Sequence, residues 1–327
     1  MRRAAMLLTL AGLLSHPAMA ETKIEVTLFA GSGSLPLYVA ADAGLFAKQG
    51  LSANLTATPS SGALIQGLVS GKFQFAYAGV DNYLAYDEGQ GTSPTEKTPD
   101  IVVVAGGSPI ELTLLAVPSI KTYADLKGKT LAVDSVSTGF AFVLRKMLEK
   151  NGLGPNDYKF EAVGSTQKRW EAMKEGKALA SLINPPFTGQ ALSMGYTNLG
   201  DGLDVLGSYL GSVHGADRAW AKANEAMVVG YVRAVIAATR WLYDPANADA
   251  AAKILMGRVN GLTEQQAKGG VASVVKGRAA LAKDAAVDLV GLKTVIDLRD
   301  QYGEPKKKMG PPEKYMDLSY YKKALGG

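Results

Sequence analysis

The stretch KIEVTLFAGSGSLPLYVAADAGLFAKQGLSANLTAT, residues 23–58, decides how this chain folds. Lys23 to Phe29 reads as a strand, Leu35 to Lys48 as a helix, and Ala53 to Thr58 as the next strand. Ser34 suits the helix N-cap, and Pro36 suits the first turn, where no amide hydrogen is needed. Strand, short polar turn, helix and strand in this order form the βαβ unit of a mainly parallel sheet covered by helices.

The rhythm continues outward. A helix from about Ser61 to Ser70 stops at Gly71, and Phe73 to Ala78 and Ile101 to Ala105 are short apolar runs bounded by glycine, as buried strands are. Gly89 to Asp100 is polar and rich in Gly, Pro and Thr, so it reads as a surface loop. The pattern then restarts with strands at Leu112 to Val117 and Lys129 to Asp134 and an amphipathic helix from Thr138 to Asn151. A strand at Tyr158 to Val163, a helix from Thr166 to Lys177 and strands at Ala178 to Ile183 and Tyr196 to Leu199 follow. Beyond about Ser212 the strand signal nearly vanishes. Asp217 to Tyr243, Ala246 to Val259, Thr263 to Ala282 and Asp288 to Tyr302 all read as helices.

This order predicts an α/β chain of two lobes. Residues 21–107 begin lobe 1, residues 108–208 build lobe 2, and residues 209–327 return as helices to complete lobe 1. The chain would cross between lobes near Gly106 to Glu111 and near Leu206 to Gly211, and two crossings make a hinge. Two consecutive independent domains are the alternative. A chain of about 300 residues fits two cores, because single cores stop growing near that size.

The N-terminus points to export. Arg2 and Arg3 precede an apolar run from Ala4 to Leu14, and Ala18-Met19-Ala20 follows as a small-x-small cleavage site. These are the three parts of a secretory signal, with a core too short to span a bilayer; the competing reading is a membrane anchor. Cleavage after Ala20 leaves 307 residues, 327 less 20, with 33 basic against 30 acidic side chains once Arg2 and Arg3 are gone. A net charge of +3 is too mild to imply nucleic acid, and the mature chain reads as a soluble periplasmic monomer.

There is no cysteine, which removes disulfides, thiolate metal sites and thiol catalysis. Of two histidines, His16 leaves with the signal and His214 remains. No catalytic set, metal site or cofactor fingerprint emerges. Gly31-Ser32-Gly33 lacks the third glycine and the acidic partner of a dinucleotide site, and no phosphate-binding G-x-x-x-x-G-K-[ST] occurs.

In open α/β sheets, ligands lie beyond the carboxyl ends of the strands, where loops lead into helix N-termini. Four such turns here are polar and small: Gly31 to Ser34, Pro59 to Gly62, Ala78 to Asp81, and Asp134 to Gly139. Each offers free amides and hydroxyls with little bulk. Such turns facing one another across a cleft would make a polar cage, although each alone would serve as an ordinary helix cap. Asn184-Pro185-Pro186-Phe187 adds a rigid loop, and Tyr38, Phe140 and Phe187 would supply walls. Gly164 to Arg169 brings Lys168 and Arg169 near a helix start, while Asp81 and Asp134 suit a ligand with donors of its own.

Several segments resemble the family of periplasmic binding proteins for nitrate, taurine, alkanesulfonates and thiamine-precursor pyrimidines, which feed ABC importers. They are LPLYVA (35–40) running into GLFAKQGL (44–51), GKFQFA (71–76), DLKGKTLAV (125–133) and NPPF (184–187). The resemblance implies a type II periplasmic-binding fold of two α/β lobes joined by a two-strand hinge, closing on a small-molecule ligand for an ABC permease in the inner membrane. Carried over by position, it places ligand contacts at Ser32, Ser34, Leu35, Tyr38, Ser60, Ser61, Gly79, Val80, Asp81, Ser135, Ser137 and Thr138. Ser108, Gln167, Pro185 and Phe187 complete the expected ligand-binding set. A sulfonate- or carboxylate-type anion is the favoured ligand class and an amine-bearing heterocycle the next. Two rival readings are a receptor that presents its ligand to a membrane sensor and a pyrimidine-synthesising enzyme of the same fold. The enzyme's resemblance is to a cysteine-rich, histidine-dependent pattern that this chain lacks.

Overall fold

The computed structural model describes residues 21–109 and 112–326; the expected export signal, residues 1–20, lies outside the described residues, as do Ile110 and Glu111 of the first crossing. Strands β1 (Thr22–Leu28), β2 (Leu51–Ala57), β3 (Phe75–Gly79) and β4 (Ile101–Ser108) enter a first sheet. Strands β5 (Thr113–Ala116), β6 (Thr130–Val133), β7 (Lys159–Ala162), β8 (Ala180–Ile183) and β9 (Thr197–Asp201) form a second. Strand β10 (Ser212–Asp217) then returns to the first. The strand orders are β2-β1-β3-β10-β4 and β7-β6-β8-β5-β9, so the two sheets share one plan. In each, the fourth strand runs antiparallel to both neighbours, and the strands beyond it on the long side run parallel. The fold is two α/β lobes linked by the β4–β5 and β9–β10 connections.

Helices α1 (Leu35–Asp42), α2 (Ser61–Val69) and α3 (Val80–Asp87) follow the first three strands. Helices α4 (Gly139–Lys150), α5 (Thr166–Lys174), α6 (Phe187–Ser193) and α7 (Gly202–Leu206) follow β6 to β9. The chain ends in α8 (Arg218–Ala223), α9 (Glu225–Tyr243), α10 (Ala248–Arg258), α11 (Glu264–Val275), α12 (Leu289–Tyr302) and α13 (Ser319–Gly326). Helix α9 packs on α1 and α13, α10 on α11, and α12 on both α3 and α4. That last helix touches both lobes.

Strand β10 corrects the reading of the tail as helical. Its sequence SVHGAD shows no strand periodicity because its neighbours supply the bulk. Gly215 has Tyr83 against it, where a Cβ would lie 2.5 Å from the ring. His214 lies under the Tyr77 ring, with Nδ1 2.8 Å from the Tyr231 hydroxyl. Burial pushes the His214 imidazole down to about 3, so the ring stays neutral and structural. Two predicted helices are also shorter than their apolar patterns. Gly44 (φ 68°) follows the end of α1 and Gly277 (φ 91°) follows the end of α11, in backbone conformations that glycine adopts without strain.

The polar loop 89–100 is anchored by Asp87, whose two carboxylate oxygens accept the Ile101 amide at 3.0 and 3.2 Å. Burial pushes this carboxyl up to about 7, helped by the Asp100 and Glu88 charges and opposed by the Ile101 amide and Arg218. The folded state therefore holds the proton more tightly than the unfolded chain does. The resulting stabilisation is complete below about pH 4 and is lost as pH rises through about 7. Asp87→Asn should remove that loss. In urea unfolding, the variant should match the parent near pH 4 and exceed it near pH 8; equal slopes of stability against pH would refute the assignment.

Candidate functional site

A cavity of about 100 Å3 lies between the lobes, at the carboxyl ends of the strands. Lobe 1 contributes Phe29, Gly31, Ser34, Thr58, Tyr77, Gly79, Asp81 and Asn82, and β10 adds Ser212. Lobe 2 contributes Asp134, Thr138, Gly139, Phe140, Ser165, Thr166, Gln167, Arg169 and Asn184. The lobes touch around it. The Ser165 amide donates to the Pro59 carbonyl at 3.2 Å, and the Ser32 amide to the Pro185 carbonyl at 3.4 Å. Gly164 (φ 103°) allows the first contact, because a Cβ there would sit 2.9 Å from the Pro59 oxygen. This is a closed two-lobed structure.

The charges around the cavity are mostly engaged with protein groups. Both oxygens of Asp81 accept from Arg299 of α12, at 2.6 and 2.8 Å, and Oδ2 also accepts the Gly139 amide at 2.5 Å. Arg169 is buried and donates to Ser181 Oγ (3.1 Å), the Gly164 carbonyl (2.6 Å), Thr166 Oγ1 (3.0 Å) and the Leu182 carbonyl (3.1 Å). Burial pushes this guanidinium down to about 10 against the pull of the Asp134 charge, so it remains a cation. Asp134 Oδ1, by contrast, is buried with no hydrogen-bond partner among the described residues. Burial pushes the Tyr77 phenol up to about 12, opposed by hydrogen bonding with the Ser108 and Ser212 side chains, which leaves it protonated. Buried polar atoms are nearly always paired, so an orphan carboxylate oxygen beside a cavity calls for a partner. At the start of α5, the Thr166 and Gln167 amides precede any intrahelical acceptor, as first-turn amides do.

Of the residues expected at the ligand, Ser34, Gly79, Asp81, Thr138 and Gln167 line the cavity. Ser32, Ser108 and Pro185 line a smaller one of about 30 Å3 beside it. Leu35, Tyr38, Val80 and Phe187 are buried in the core and lie outside the cavity wall. Leu35 and Tyr38 sit in the first turn of α1, which packs on α9 and α10, so their side chains fill that seam. Phe187 opens α6 and joins the same apolar cluster. Ser60 and Ser61 also stand off the wall; Ser60 caps α2 by accepting the Ala63 amide at 3.3 Å. Ser135 and Ser137 serve through their carbonyls, the first for Thr138 and the second for Arg299.

Tyr77, Ser212, Thr58 and Asn82 had not been picked out from the sequence. Thr58 directly follows β2 and Asn82 lies in the first turn of α3, whereas Tyr77 stands midway along β3 and Ser212 opens β10, so only Thr58 closes a strand with a polar group. Arg169, expected near a helix start, lines the cavity but turns its donors to protein groups and acts as a brace.

The fold and cavity can be set beside known proteins. Among curated proteins none matches the sequence. The nitrate-binding protein NrtA from Synechocystis PCC 6803 superposes with a TM-score of 0.77 at 14% identity, covering 93% of this chain and 88% of that one. A ligand-binding component of an ABC-type import system from Staphylococcus aureus gives 0.76 at 13% identity, over 93% and 99%. The alkanesulfonate-binding protein SsuA from Xanthomonas axonopodis pv. citri, bound to MOPS, gives 0.72 at 19% identity, over 93% and 100%. These similarities carry the fold, a two-lobed periplasmic-binding architecture. The sequence itself matches the NMT1-like family over residues 18–256, most of its length, and the chain therefore belongs to the NMT1-like family.

Proposed function

We propose that this protein captures a small solute in the periplasm by closing its two lobes and presents the closed form to an ABC permease. The observation that carries this reading is the cavity enclosed by both lobes and lined by strand ends and helix starts. A solute touching both lobes has affinity mainly for the closed state and draws the population toward it. The enzyme reading finds little support at this site: the chain has no cysteine, and His214 is neutral and packed beneath Tyr77.

The chemistry of the wall supports a different order of ligand classes from the one read in the sequence. An anion would need helix-start amides or a free guanidinium, and the Thr166 and Gln167 amides of α5 are those left to it. The Gly139 amide already serves Asp81, and the Arg169 and Arg299 donors are aimed at protein groups. Asp134 offers a carboxylate, and Phe29, Tyr77 and Phe140 offer ring faces. We therefore favour a small heterocycle bearing N–H donors over a sulfonate or carboxylate.

A thermal-shift screen on protein refolded to strip solute tests this directly. Its panel holds aminopyrimidines and other heterocyclic amines, small sulfonates and carboxylates, and nitrate. A ligand at about a hundred times its Kd adds roughly 2.7 kcal/mol. Asp134→Asn should weaken an amine-bearing hit about 10- to 150-fold, the worth of a hydrogen bond to a charged group, and leave sulfonates untouched. Stabilisation by sulfonates alone would sink the heterocycle assignment.

A further inference from the structure

We infer that Arg299 and Asp81 form a latch that favours lobe closure before any solute binds, and that Asp81 is a positioning residue rather than a ligand contact. Arg299 is fully buried on α12, where its Nε and one terminal nitrogen clasp the Asp81 carboxylate. Its other terminal nitrogen donates to Gln90 Oε1 at 3.0 Å, behind α3. The group that reaches Asp81 also donates to the Ser137 carbonyl of lobe 2 at 2.8 Å. Asp81 reaches across in the other direction and accepts the Gly139 amide, the first of α4.

The trans-lobe contact fills a gap in lobe 2. Thr138 stands at the N-cap of α4, yet its hydroxyl donates backwards to the Ser135 carbonyl and caps nothing. The carboxylate that satisfies this helix start comes from the opposite lobe, and a negative group is what a helix N-terminus favours. Opening the lobes withdraws the Gly139 amide and the Ser137 carbonyl from a buried ion pair. Both are charge-assisted hydrogen bonds made only in the closed form. Further ties from α12 to α4 reinforce them: the Tyr302 hydroxyl meets Glu149 at 2.6 Å and Lys146 meets Gln301 at 3.1 Å. The clasping helix lies beyond residues 18–256, the span matched by the family.

The latch rests on the reading that the lobes open to admit a solute, and its test needs no solute. The cysteine-free chain accepts spin labels cleanly at Lys72→Cys in lobe 1 and Lys174→Cys in lobe 2, both exposed positions. Distance distributions would be measured on solute-stripped protein, for the parent, for Asp81→Asn/Arg299→Met and for Arg299→Lys. The double variant keeps the bulk of both side chains without their charges. Arg299→Lys keeps a charge beside Asp81 and drops the planar fork that also reaches Ser137. The parent should show mainly the short distance, and both variants should lower the closed-to-open ratio at least tenfold, with melting curves confirming that they fold. A parent as open as the variants overturns the latch, and so do folded variants as closed as the parent. Only a chain that stays at one distance in every variant and with every screened solute would count against lobe motion itself. Should the double variant not fold, Arg299→Lys alone decides the matter.

Discussion

Gly139→Ala is expected to leave both lobes folded and to prevent them from closing. A Cβ at this position would lie 2.5 Å from Asp81 Cγ and 2.5 Å from the Tyr209 hydroxyl, closer than such atoms approach. Gly139 opens α4 with ordinary helical backbone, where alanine is the better helix former, so lobe 2 taken alone does not suffer. The conflict arises where Asp81 and the Tyr209 hydroxyl press against the start of α4. Overpacking of this kind costs about 1–3 kcal/mol, which here falls on the closed state and weakens solute binding about 5- to 150-fold. Small-angle scattering should show a larger radius of gyration for the stripped variant, and calorimetry with a hit from the thermal-shift screen should show the lost affinity. Unchanged affinity would mean that α4 and α3 separate slightly at no cost and that the tight approach has no role in binding.

Trp170→Ala is expected to cost more in stability than any surface change, about 3–5 kcal/mol. Trp170 is 2% exposed on α5, meets Tyr196 edge-on at 4.9 Å, and donates from Nε1 to Gln190 Oε1 at 2.9 Å. Its removal empties a large space between α5, α6 and the second sheet and orphans the Gln190 acceptor. The same helix carries Thr166, Gln167 and Arg169 at the cavity, so lost rigidity there should also blunt solute binding. Urea unfolding followed by far-UV circular dichroism measures the effect. A loss below about 1 kcal/mol would show that neighbouring side chains collapse into the space and that Trp170 is not the anchor of α5.

Much of the architecture was legible beforehand because its signals are local. A strand followed by Gly-Ser and then a capped helix announces itself within a few residues, and such turns at the ends of strands marked where a cleft would form. The same locality leaves the direction of a side chain open. Tyr38 and Phe187 are aromatic residues close to polar turns, and nothing nearby in sequence tells whether such a ring faces a cleft or a neighbouring helix. Strand β10 was invisible because Tyr83, far along the chain, fills the volume that its Gly215 leaves empty.

From the sequence alone came the βαβ order, the two-lobed plan and the family to which the chain belongs, since period, capping and motif are properties of short segments. Only the tertiary structure decided the chemistry of the cavity. Asp81 looked like a carboxylate waiting for a ligand until it met Arg299, 218 residues away. Arg169 reads in sequence as a cation near a helix start, and burial turns its donors toward strand β8 and the Gly164 turn. Whether a charge is spent inside the protein or left for a solute depends on what folding brings within about 3 Å of it, and that distance is not encoded in any local pattern.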